Sequence, residues 1–129
     1  MQLHNRAIGL AIRLSCYFIH VTTAPSPPRP KNNATFEVYG NLTRHDITDQ
    51  TILYIGYQDA LGRKRGPQLN QPFTVFFKAG HAFHWRLENI PIPDLPPRYI
   101  VTVAVGNQGP PPVRLLTAFG CACADVYIP

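Results

Sequence analysis

From residue 36 onward, apolar residues recur at every second position in most segments, the period of a half-buried β-strand. Phe36–Tyr39 puts Phe36 and Val38 on one face, and Phe73–Lys78 does the same with Phe73, Val75 and Phe77. Ala82–Glu88 sets Phe83, Trp85 and Leu87 against His84, Arg86 and Glu88, which predicts a buried Trp85 between two sheets. Arg98–Val105 aligns Tyr99, Val101, Val103 and Val105. Thr51–Tyr57 is β-branched or aromatic on both faces, as in a strand from the middle of a sheet. Val113–Phe119 and Cys121–Ile128 complete the set, with Gly120 either a bend between them or a bulge inside one long strand. No stretch holds a helical period over three turns.

The punctuation agrees with an all-β chain. Lys78-Ala79-Gly80-His81 reads as a hairpin turn, Asp59–Pro67 as a longer exposed loop, and Ile90–Pro97 and Gln108–Pro112 as proline-rich breaks. Six or seven short strands separated by such breaks predict a small antiparallel β-sandwich, with a small β-barrel as the alternative.

Residues 1–24 read differently. They hold no acidic residue, Arg6 lies ahead of a mostly apolar run from Ala7 to Val21, and Thr22-Thr23-Ala24 offers small residues for cleavage. That is the layout of a secretory signal peptide, with Arg13 as a defect inside its apolar part. The alternative is a first strand or an amphipathic anchor. The expected organisation is a leader at 1–24, a proline-rich extended spacer at 25–33 and one β-sandwich domain at 34–129, able to fold unaided from Pro25. No other run is long and apolar enough for a stable membrane span. Asn33-Ala34-Thr35 and Asn41-Leu42-Thr43 match the N-glycosylation acceptor, making Asn33 and Asn41 candidate sites and agreeing with secretion.

Composition narrows the function classes. Fourteen prolines and nine glycines among 129 residues argue against a helical bundle, and 45% hydrophobic residues argue against disorder. The net charge of +5 falls to +3 without the leader's two arginines, too little to predict nucleic-acid binding by itself. Cys121 and Cys123 stand two apart. They fit partly buried apolar positions of a last strand, a disulfide to each other or to another chain, or a metal or redox role. Ser26 is the only serine after the leader and lies among prolines, which disfavours a serine nucleophile. His81 and His84 have H-x-x-H spacing, but three apart on a strand they face opposite sides. No motif assigns a catalytic residue, a metal ligand or a cofactor, and the chain is expected not to be an enzyme.

The one concentration of charge is Arg63-Lys64-Arg65, between Gly62 and Gly66. It reads as a solvated loop tip, as a contact for a polyanion (nucleic acid, anionic lipid or sulfated glycan), or as a dibasic processing site. In overall type, with a leader, a short β-rich chain and no catalytic constellation, the sequence resembles the small secreted effectors of plant-associated fungi and similar pathogens. No single residue carries that resemblance. It implies a secreted, extracellular or host-delivered protein that binds a host protein and interferes with defence. An immunoglobulin-like extracellular interaction module is the alternative.

Overall fold

The computed structural model describes residues 2–3, 17–25, 28–108 and 115–127. They form nine strands and no helix: β1 (Gln2–Leu3), β2 (Tyr17–Phe18), β3 (His20–Ala24), β4 (Asn33–Asn41), β5 (Thr51–Asp59), β6 (Leu69–Pro72), β7 (Ala82–Pro91), β8 (Arg98–Gln108) and β9 (Leu115–Tyr127). Two sheets result, a four-stranded one ordered β1-β3-β4-β7 and a five-stranded one ordered β2-β9-β8-β5-β6. The seven longer strands pair antiparallel, and the short β2 runs parallel to β9. The expected small antiparallel sandwich is what forms.

Alternation builds the core. Phe36 and Val38 of β4, with Phe83 and Leu87 of β7, belong to the same buried cluster as Leu53 and Ile55 of β5 and Val101, Val103 and Val105 of β8. β5 lies between β6 and β8, an interior position that its two apolar faces anticipated. Cys121 pairs with Ala104 and Gly120 with Val105, but Ala118 pairs with Gly106. Gly120 therefore adjoins a bulge inside one continuous strand, and Phe119 is the extra residue.

Four expectations change. The sheets reach back into residues 1–24: β1 pairs with β3, β2 with β9 and β3 with β4 over five residues, and Ile19 and Val21 are fully buried. The apolar run that reads as a leader thus contributes a strand and two core residues, because a short alternating strand and the end of a signal peptide share one hydropathy pattern. The described part of the proline-rich spacer is no extended linker. The Lys31 amide donates to Ile92 O and the Ile92 amide to Asn32 O, and the Tyr99 hydroxyl donates to Pro28 O.

Phe73–Lys78 is not a strand. Its neighbour Leu69–Pro72 takes the edge beside β5, and the chain then leaves the sheet with only an isolated bridge between Ile47 and Phe77. Phe73 is buried, whereas Val75 and Phe76 are 58% and 60% exposed. Trp85 faces the core but is only half-buried, since β7 ends its sheet. Its ring leans on Phe73 with centroids 4.5 Å apart.

Candidate functional site

The outer face of the four-stranded sheet carries a row of rings. Register places His20 of β3 beside Tyr39 of β4, and Tyr39 beside His84 of β7. His20 and Tyr39 stack with centroids 5.1 Å apart and planes 12° apart, and Tyr39 meets His84 edge-on at 6.1 Å. Two residue pairs along the sheet, on the same face, Glu37 lies opposite Arg86. Its Oε1 accepts from His84 Nε2 at 2.6 Å. The partly exposed carboxylate therefore fixes the His84 ring, and Tyr39 is held between two imidazoles. These groups border an open groove of about 910 Å³ that continues past Asn41 to Phe77 and Phe83. Tyr39 remains 39% exposed.

The basic loop is a built structure. Asp59, at the end of β5, is nearly buried, and its Oδ1 accepts from the backbone amides of Leu61 and Arg63, both at 2.9 Å. Arg63 Nε donates to Oδ2 at 2.8 Å. The Arg63 amide, foremost, together with the Arg63 side chain and the Leu61 amide, holds the Asp59 carboxyl below its ordinary pKa against an opposing desolvation. The Arg65 amide donates to Tyr57 O, and Gln58 bridges to Lys64, so the loop folds back along β5. Gly66 has φ of +69°, and a Cβ there would meet Pro93 Cβ at 2.5 Å. Only glycine allows this turn to pack against the proline-rich segment.

The other candidate residues scatter. Cys121 is disulfide-bonded and Cys123 is a buried thiol, so the pair is not linked to itself. Two apart on one strand, their Cα atoms lie about 6.5–7 Å apart, at the limit for a relaxed disulfide. The remaining cysteine, Cys16, lies outside the described residues. Asn33 and Asn41 occupy the two exposed ends of β4, and Asn41 Nδ2 donates to Gly80 O at 3.0 Å. His81 lies exposed in the turn before β7, and His84 stands on the outer face of β7 against Glu37. Among the described residues no cluster of His, Cys, Asp or Glu could hold a metal ion, and no helix is long and apolar enough to cross a membrane.

Sequence reasoning missed two contributors. His20 was absorbed into the expected leader, and Glu37 was one carboxylate among seven, separated from His84 by 47 positions. The alternation of β4 and β7 could have placed Glu37, Tyr39 and His84 on one outer face, but their pairing depends on register. Comparison with family models, with curated proteins and with solved structures finds no match for this chain.

Proposed function

We propose that the chain is a secreted, non-enzymatic binding protein that recognises a host or extracellular protein through the outer face of its four-stranded sheet. The supporting observation is the ring row His20–Tyr39–His84, braced by Glu37 at the mouth of the groove. Aromatic groups held rigid before contact lose little entropy on binding, and such anchors carry most of the energy of protein interfaces. The exposed Val75 and Phe76 precede Phe77, which lines the groove, and they add apolar area for a partner to cover. Binding to a host protein is the activity expected of an effector-type molecule. Secretion that keeps β3 and the core residue Ile19 requires cleavage upstream of Ile19, because β3 is part of the binding sheet.

The experiment compares three proteins in cross-linking capture from host extracellular fluid: the parent, Tyr39→Ser and the triple variant R63A/K64A/R65A. The expected result is a discrete protein captured by the parent and the triple variant and lost with Tyr39→Ser. Capture lost only with the triple variant would overturn the reading in favour of recognition by charge. The N-terminal residue of protein from culture fluid tests secretion separately, with a start at or before Ile19 expected.

A further inference from the structure

We infer that Arg63, Arg65 and Arg98 form a binding site for a tetrahedral oxyanion, a sulfate or phosphate group either free or esterified. The site shares no residue with the groove on the four-stranded sheet and does not rest on that reading.

Two separate pieces of chain assemble it. Asp59 ties down the loop through two backbone amides and the Arg63 side chain. Arg63 and Arg65 then line one pocket of about 340 Å³, while Lys64 between them does not. Arg98, the first residue of β8, lines the same pocket from 33 positions further along, and Pro96 and Pro97 complete its wall. The Gly66 turn against Pro93 holds the loop to that wall.

The charge is unbalanced. Three arginines and one carboxylate line the pocket, and Asp59 is engaged by Arg63. Among the described residues, neither Arg65 nor Arg98 has a carboxylate within ion-pair distance. Arg65 is half-buried, so its charge has less water than a free side chain. Like charges held together without a counter-ion repel one another, and an anion seated among them removes that repulsion. Guanidinium is the cation best matched to such a guest, because its planar fork donates two parallel N–H bonds to two oxygens of one sulfate or phosphate. The pocket volume suits one such group and the residue it is attached to, not a folded partner.

The site predicts unequal roles for the three charges of the loop. Arg65 and Arg98 contact the anion, Arg63 contributes from its tether on Asp59, and Lys64 adds only a diffuse field. The test is calorimetric titration of the full chain at low and physiological salt with inorganic sulfate, inorganic phosphate, a sulfated disaccharide and its unsulfated counterpart. Parent protein is compared with R65Q, R98Q and K64Q, with thermal unfolding as a folding control. The expected result is at least tenfold weaker anion binding for R65Q and for R98Q, and a change under about twofold for K64Q. The unsulfated disaccharide is expected not to bind. Tighter binding of the sulfated disaccharide than of the inorganic ions assigns the anion to a glycan ester, and equal binding assigns it to the free ion. Absence of anion binding by the folded parent overturns the inference, as does a loss with K64Q equal to that with R98Q.

Discussion

The outer faces of the two sheets are opposites. On the four-stranded sheet the outward positions include His20, Glu37, Tyr39, His84, Arg86 and Glu88, partly or fully open to water. On the five-stranded sheet the outward positions include Ile52, Thr102, Ala104, Cys121 and Cys123, none more than 7% exposed. Tyr54 lies on that closed face along its own strand, and a Cβ at Gly56 would collide with its ring. One sheet is thus half-buried and the other buried on both sides. Recognition through side chains standing on a sheet is available only to the first.

The largest test of this contrast removes two strands from the open sheet. A chain beginning at Pro25 lacks β1 and β3, the short β2 of the other sheet, and the core residues Ile19 and Val21. We expect loss of cooperative thermal unfolding and of near-ultraviolet circular dichroism. Retention of the parent's melting temperature would show that the strands before Pro25 are dispensable and that cleavage at Ala24 is compatible with the fold.

A matched pair of substitutions compares the faces directly. Ala104→Asp puts an unpaired carboxylate at a fully buried outward position of β8, with an expected loss of about 3 kcal/mol or more. Arg86→Ser, outward on β7, removes a pair with Glu88 whose side chains are both more than half exposed. Its expected cost is within about 0.5 kcal/mol. Chemical denaturation measures both, and similar losses would erase the distinction between the faces.

The smallest effect concerns alkaline pH. Burial raises the pKa of Tyr54 above its ordinary value near 10. A raised pKa means that stability is intact below about pH 10 and falls above it, as the unfolded chain ionises while the native hydroxyl stays protonated. Tyr99, raised by burial to about 12, and Tyr57, raised further by burial and by Tyr99, act in the same direction. Tyr54→Phe should therefore move the alkaline unfolding midpoint upward by a few tenths of a pH unit. An unmoved midpoint would mean that Tyr54 is as open as the residues of the opposite face.

The contrast also explains which parts of the molecule were legible beforehand. Phe36 and Val38, and the series from Tyr99 to Val105, alternate because one side meets core, so their strands and faces could be read directly. The two-sided apolar pattern of Thr51–Tyr57 marked an interior strand for the same reason. Val75 and Phe77 alternate too, but the chain before them ends β6 at Pro72 and finds no neighbouring strand. Period alone does not supply a hydrogen-bonding partner. Residues 20–24 were hidden by a second pattern that fits equally well. The two sites were the least legible: Glu37 meets His84, and Arg65 shares a pocket with Arg98, only through strand order and loop docking. Local sequence shows the outward face of each strand and the basic run, but not these pairings.

Glycosylation of Asn41 would make the groove depend on the cell that produces the protein. Its amide nitrogen is already bonded to Gly80 at the groove's rim, and the same atom is the attachment point in Asn41-Leu42-Thr43. A glycan added during export would place a hydrated branched chain across the opening, whereas synthesis in a bacterial cytoplasm leaves the opening bare. The two products would share every amino acid and differ in what they can bind. A negative binding result from one source therefore has no bearing on the other until the state of Asn41 has been measured.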